Sequence, residues 1–138
     1  MIQTLEVRLL NRIARRRGDV FLRADFHDLG GYDQVGRVLR GLVREGELMK
    51  IGFGLYARAV QSPFSDSPVP PKGLTTLTEA LKRLAIKTAP SRLEQDYNAG
   101  RTTQVPTGRV VAVGQRVRRK LGYNGFFLSF ERARPATR

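Results

Sequence analysis

The stretch that decides the fold is Gly18–Ala59, which reads GDVFLRADFHDLGGYDQVGRVLRGLVREGELMKIGFGLYARA. It contains, in order, a short apolar run, a brief polar-apolar segment, a Gly-Gly pair, a longer amphipathic segment and two apolar runs around a glycine-rich turn. This order predicts a strand, a short helix, a tight turn, a longer helix and a β-hairpin. Such an order is typical of a winged helix-turn-helix, in which the hairpin is the wing.

The longer helix is predicted over Tyr32–Glu45, with Val35, Leu39 and Leu42 as its inward stripe and Gly46 as its stop. The preceding elements are a first helix over Thr4–Arg16, a strand over Val20–Leu22, a short helix over Arg23–Leu29 and a Gly30-Gly31 turn where positive φ is free. The hairpin strands are predicted over Leu48–Ile51 and Leu55–Ala59.

The second half begins with a Pro- and Ser-rich segment that cannot propagate a helix or sheet. After it the pattern predicts two helices and three strands, and a Tyr123-Asn124-Gly125 hairpin turn joins the last two strands. These elements are Leu74–Leu84, Ser91–Gly100, Val110–Val113, Arg116–Leu121 and Phe126–Glu131. The predicted fold class is therefore α+β, divided into a winged helix-turn-helix domain (1–60), a linker (61–73), a small helical and β-strand C-terminal domain (74–132) and a flexible tail (133–138).

Charge is the main bulk property. The 138 residues carry a net charge of +13, and the segment after Asp96 has no acid until Glu131. Such an excess points to a polyanionic partner, most often nucleic acid. Cysteine is absent and His27 is the one histidine, so thiolate catalysis and a usual zinc site are excluded. We predict no enzyme activity, no catalytic residue, no metal, no cofactor and no membrane partner, and a cytoplasmic location.

The helix over Tyr32–Glu45 supplies the candidate DNA-reading residues, because the N-terminal part of such a helix contacts base edges in the major groove. The predicted base-reading residues are Tyr32, Asp33, Gln34 and Arg37. The predicted backbone contacts are Arg23, Arg40, Arg44, Lys50, Phe53 and Arg58. A solvated basic face is the alternative. Asp33 could instead cap the helix, and Phe53 could fold back onto the core.

A second basic surface is predicted in the C-terminal half, from Arg101, Arg109, Arg116, Arg118, Arg119 and Lys120. If Arg116–Leu121 is a strand, Arg116, Arg118 and Lys120 share one face by its two-residue period. This surface could bind nucleic acid, an acidic protein or a nucleotide, or it could be a solvated sheet face.

The run RGDVFLRADFHDLGGYDQVGRVLRGLVREGELMKIGFGLYARA (17–59) resembles the N-terminal winged helix-turn-helix of AbiEi-type antitoxins, in a short branch of that family. The runs YNAGRTTQVPTGRVVAV (97–113) and YNGFFLSFERA (123–133) resemble the C-terminal region of the same branch. The resemblance implies a bacterial antitoxin that represses its own promoter, through inverted repeats, and opposes a nucleotidyltransferase toxin without a stable complex. The alternative is a stand-alone winged-helix transcriptional regulator of a mobile element with no toxin partner.

Overall fold

The structure is a computed structural model that describes residues 3–133, and its fold is mixed α+β. Within residues 3–133 the chain forms four α-helices, one 3-10 helix and ten short strands. The helices are α1 (Leu5–Arg15), the 3-10 helix (Arg23–Phe26), α2 (Tyr32–Arg44), α3 (Leu74–Arg83) and α4 (Arg92–Asn98). The strands are β1 (Val20–Leu22), β2 (Leu48–Gly52), β3 (Leu55–Arg58), β4 (Val60–Gln61), β5 (Pro68–Val69), β6 (Thr88–Ala89), β7 (Val110–Val113), β8 (Gly122–Tyr123), β9 (Phe126–Phe127) and β10 (Ser129–Arg132).

The first sheet is antiparallel, in the order β1-β3-β2, and each of its faces is buried. Because successive side chains of a strand point to opposite faces of the sheet, residues next to each other in sequence pack into different buried clusters. Phe21, Leu48 and Tyr56 pack with α1 and α2 in one buried cluster. Val20, Met49, Ile51, Leu55 and Ala57 point the other way and pack against Leu77, Ala80 and Leu81 of α3, with Leu121 and Leu128. Helices from both halves of the chain therefore cover this sheet.

The remaining strands form smaller sheets. A mixed sheet has the order β10-β7-β6, with β10 parallel and β6 antiparallel to β7. β8 and β9 form a hairpin whose turn residues Asn124 and Gly125 have φ of 50° and 84°, as the predicted Tyr123-Asn124-Gly125 turn requires. β4 pairs with β5, so the Pro- and Ser-rich segment contributes to a two-stranded sheet and the prediction that it cannot propagate a sheet was wrong.

Four more local predictions were wrong. The short helix ends at Phe26 and is a 3-10 helix, and Gly30 and Gly31 do not use positive φ, since Gly31 is an extended N-cap with φ of −66°. The predicted strand Arg116–Leu121 is not a strand, because this segment meets the first sheet at Gly52, where β2 ends, and at the hairpin turn. Phe126–Glu131 is divided between β9 and β10, which pair with different strands.

The division into domains at 61–73 stays a prediction, although the two predicted domains share the buried cluster that contains α3. Residues 134–138 of the predicted flexible tail lie outside the described residues. Among the helices of residues 3–133, none combines the length and the apolar character needed to cross a bilayer.

Candidate nucleic-acid interface

Helix α2 presents a polar face to solvent over its whole length. Its inner face is fixed by Val35, Leu39 and Leu42, all of which are buried. The N-cap of the helix is Gly31, whose N–H donates to Gln34 Oε1 at 3.4 Å. The other face carries six exposed side chains: Tyr32, Asp33, Gln34, Arg37, Arg40 and Arg44. All four residues predicted to read bases therefore lie on the exposed surface of the first two turns.

Arg23 holds the start of α2 from outside the helix. Its guanidinium lies 3.5 Å from the centroid of the Tyr32 ring and donates to the Tyr32 carbonyl at 2.6 Å. A Cβ at Gly36 would come within 2.2 Å of Arg23 Nη2, so this stacking requires glycine at position 36. The Arg23 guanidinium is engaged with the protein, and its role is to orient Tyr32, which is 65% exposed.

A groove of about 440 Å³ separates α2 from the β2–β3 hairpin. Four cationic and three aromatic side chains line it: Arg23, Arg40, Arg44, Lys50, Tyr32, Phe53 and Tyr56. Phe53 stands at the hairpin turn with 79% of its surface exposed, which excludes the alternative that it folds back onto the core. Lys50 Nζ lies 5.9 Å from its ring centroid. Both α2 and the hairpin, which the sequence predicted to contact DNA, therefore contribute cationic side chains to the groove.

Arg58, like Arg23, has its guanidinium engaged by other parts of the protein, but unlike Arg23 it does not line the groove. It donates to the carbonyls of Ile13 and Arg16 at 2.6 and 2.7 Å and lies 3.2 Å from the Asp19 carboxylate. These carbonyls are at the end of α1, where helical acceptors lack partners. Arg58 therefore ties α1 to β3, and we remove it from the candidate interface.

The six residues of the predicted second basic surface are all exposed, but they do not form one sheet face. Because Arg116–Leu121 is not a strand, the two-residue alternation proposed for Arg116, Arg118 and Lys120 does not apply. Arg101 pairs with Asp96 at 2.9 Å, and the Arg109 guanidinium lies 4.3 Å from the Phe126 ring centroid. Arg119 instead reaches the first half of the chain, where it donates to the Phe53 carbonyl at 3.2 Å.

Two charged contacts between α3 and the segment that precedes α2 were missed by sequence reasoning. Glu79 of α3 accepts hydrogen bonds from the backbone N–H groups of Asp19 and Val20, both at 2.9 Å. Arg83, one helical turn later, pairs with Asp25 in the 3-10 helix. Both contacts join residues about 60 positions apart, and no local pattern indicates such pairs. Gly36 could have indicated the contact with Arg23, because a glycine inside a helix often marks the close approach of another group.

Arg12, Asp28 and His27, which lie outside the groove, have partners within the first half of the chain. Arg12 donates to both carboxylate oxygens of Asp28, at 2.5 and 2.9 Å, and this hydrogen bonding lowers the pKa of Asp28 to about 2. The same pairing raises the pKa of Arg12. His27 is exposed and its Nδ1 lies 2.8 Å from the Ala24 carbonyl. Within residues 3–133, no three His, Asp or Glu side chains group as a metal site would need.

No protein-family model, no curated protein and no solved structure matches this chain.

Proposed function

We propose that residues 3–58 act as a winged helix-turn-helix that binds duplex DNA, with α2 as the recognition helix and the β2–β3 hairpin as the wing. The element order supports this, because α1, β1, the 3-10 helix, α2 and the hairpin follow one another as that motif requires. The observation that carries the proposal is the groove between α2 and the hairpin. Its cations Arg40, Arg44 and Lys50 face an opening beside the exposed first turns of α2.

The roles within the interface follow from position along α2. Residues near the N-terminus of a recognition helix lie deepest in the major groove, so Gln34 and Arg37 are placed to contact base edges, with Tyr32 and Asp33 beside them. A bidentate Arg–guanine or Gln–adenine contact discriminates by about 1–3 kcal/mol. Arg40 and Arg44 lie further along and Lys50 lies in the wing, where phosphate contacts position the protein without reading sequence.

A binding titration tests the proposal. The variant R37Q/R40Q/R44Q removes three charges from the exposed face of α2, and the matched control K82Q/K87Q/R92Q removes three exposed charges from the second half. Anisotropy with a mixed-sequence 30-base-pair duplex is expected to show a steep salt dependence for the parent protein. We expect the helix variant to bind at least about tenfold more weakly than the control. Equal affinities for the two variants would reject α2 as the DNA-binding element.

We also propose, on the resemblance of residues 17–59, 97–113 and 123–133 to AbiEi-type antitoxins, that the protein represses its own promoter and opposes a nucleotidyltransferase toxin. Co-expression with the nucleotidyltransferase reading frame beside its gene tests this, with growth as the readout. We expect both the parent chain and the helix variant to restore growth. Only the helix variant is expected to lose repression of the promoter. Growth arrest with and without the parent chain would reject the antitoxin role and leave DNA binding to be judged by titration.

A further inference from the structure

The basic segment Arg116–Lys120, here called the strap, lies directly against the proposed wing. A Cβ at Gly52 would come within 2.9 Å of Leu121 Cδ2 and 3.1 Å of the Lys120 carbonyl oxygen, so the two backbones pass each other closely at the end of β2. Arg119 Nη1 donates to the carbonyl of Phe53 at the hairpin turn, at 3.2 Å. The strap therefore contacts the wing at two successive residues.

The strap is anchored at its C-terminal end. Leu121 is completely buried in the cluster that contains α3 and one face of the first sheet. Its carbonyl accepts from the Leu128 N–H at 2.9 Å. The position of the strap beside the wing is thus set by core packing, and it does not depend on the single hydrogen bond from Arg119.

The strap is strongly cationic, and its charged side chains are not paired with acidic residues of the described chain. Four of its five side chains are cationic and exposed: Arg116, Arg118, Arg119 and Lys120. Among residues 3–133, no ion pair includes any of these four. Through Phe53, which borders both features, the strap continues the cationic surface that begins in the groove with Lys50 and Arg44.

We propose that the strap is a second DNA-contacting element, which binds the phosphates of the same duplex on the flank beyond the wing. This inference rests on the proposed function, because it takes the wing to lie along the DNA. An extended run of five residues spans at most about 17 Å, which corresponds to about five base pairs of duplex at 3.4 Å per step. The strap therefore lengthens the binding site on one side and adds affinity without adding sequence information.

The test compares two variants of the full chain with the same net charge. The strap variant is R116Q/R118Q/R119Q/K120Q, and its matched control is K82Q/K87Q/R92Q/R132Q, which removes four exposed charges from α3, the approach to β6, α4 and β10. Circular dichroism and thermal melting are used to verify that each variant is folded. Anisotropy titrations against a mixed-sequence 30-base-pair duplex at several salt concentrations give the affinity and its salt slope.

We expect the strap variant to lower the magnitude of the salt slope by up to about 3.6, since it removes four cationic side chains and each lost phosphate contact removes roughly 0.9. The control is expected to change the slope by less than about one. On a duplex that the parent chain selects from a random pool, hydroxyl-radical protection should shorten by about five base pairs on one flank with the strap variant, and should be unchanged with the control.

The outcomes separate this inference from the proposed function. If the parent binds the duplex and R37Q/R40Q/R44Q impairs binding, but the strap variant behaves as its control, the strap does not touch DNA and the inference is overturned. Its charge would then serve an acidic protein or a nucleotide. If the parent shows no salt-dependent binding, or the helix variant binds as the parent does, the proposed function fails and the inference fails with it.

Discussion

Arg83 of α3 hydrogen-bonds to both carboxylate oxygens of Asp25, in the 3-10 helix just before the turn into α2. The same carboxylate accepts from the Leu22 N–H at 2.9 Å and lies 3.6 Å from Arg16 at the end of α1. Asp25 thus joins α1, β1 and α3 at one partly buried point. Through it, a helix from the second half helps to hold the segment that sets the direction of the proposed recognition helix.

Arg83→Met is expected to lower the free energy of unfolding by about 2 kcal/mol, because it leaves the Asp25 carboxylate, whose side chain is only 14% exposed, with fewer partners. Urea unfolding followed by circular dichroism measures this. The control is Lys82→Met, one residue earlier and exposed, for which a change within about 0.5 kcal/mol is expected. If the two variants unfold alike, the Arg83–Asp25 pair contributes no more than a surface charge.

The two interior glycines of α2 are expected to respond differently to alanine. At Gly41 the nearest atom to a new Cβ is Arg44 Nη2 at 3.7 Å, an ordinary contact, so Gly41→Ala should stabilise the protein by about 0.5–1 kcal/mol through helix propensity. At Gly36 the same gain is offset by displacement of Arg23 from Tyr32. Gly36→Ala should therefore leave stability within about 0.5 kcal/mol of the parent.

Thermal unfolding of the two glycine variants measures the stability difference, and the NMR shifts of the Tyr32 ring report the position of Arg23. We expect the ring shifts to move in Gly36→Ala and to stay in place in Gly41→Ala. An unmoved Tyr32 ring in Gly36→Ala would contradict the role assigned to the Arg23–Tyr32 stacking.

Acid stability depends in part on Asp28. Hydrogen bonds from Arg12 lower its pKa from 3.8 to about 2 in the folded state, with Coulombic attraction as a smaller cause. The folded state therefore binds fewer protons than the unfolded state between these values, so the stabilisation is complete above about pH 4 and is lost as the pH falls through about 2. Asp28→Asn should make the loss of stability between pH 4 and pH 2 less steep.

Urea midpoints at several pH values between 2 and 5 check the Asp28 prediction. Asp66→Asn, an exposed carboxylate in the segment between β4 and β5, is the control and should leave the profile unchanged. Identical profiles for the parent and Asp28→Asn would show that the Arg12–Asp28 contact does not persist in solution.

Much of the first half was predictable because its signals are local. The stripe of Val35, Leu39 and Leu42 has the helical period, and the apolar runs on either side of Phe53 alternate as strands do, so α2 and the hairpin were found close to their observed bounds. The burial of both faces of the first sheet was harder to predict, because one face packs against α3, which lies in a distant part of the sequence.

The basic surfaces were harder to predict than the helices. The sequence does not show whether an arginine guanidinium contacts solvent or the protein. The Arg58 guanidinium is engaged by the protein, because carbonyls at the end of α1 lie within its reach. The run of charges at Arg116–Lys120 alternates with Val117 as a strand would, but strand formation needs a partner edge. The partner found there is the hairpin turn, which offers the Phe53 carbonyl to Arg119 instead of a ladder.

Arg37 provides the sharpest test of sequence reading, because it is exposed in the second turn of α2 and does not line the groove where the phosphate contacts are proposed. Arg37→Ala is expected to weaken binding to a selected duplex by about 1–3 kcal/mol and binding to mixed-sequence duplex by much less, since loss of a base contact acts only where the base is present. Arg44→Ala, near the end of α2, is the matched control and should weaken both by similar factors. Competition titrations with the two duplexes at one fixed salt concentration measure the ratio. An equal loss on both duplexes for Arg37→Ala would make Arg37 a phosphate contact and leave Tyr32, Asp33 and Gln34 as the candidates for direct readout.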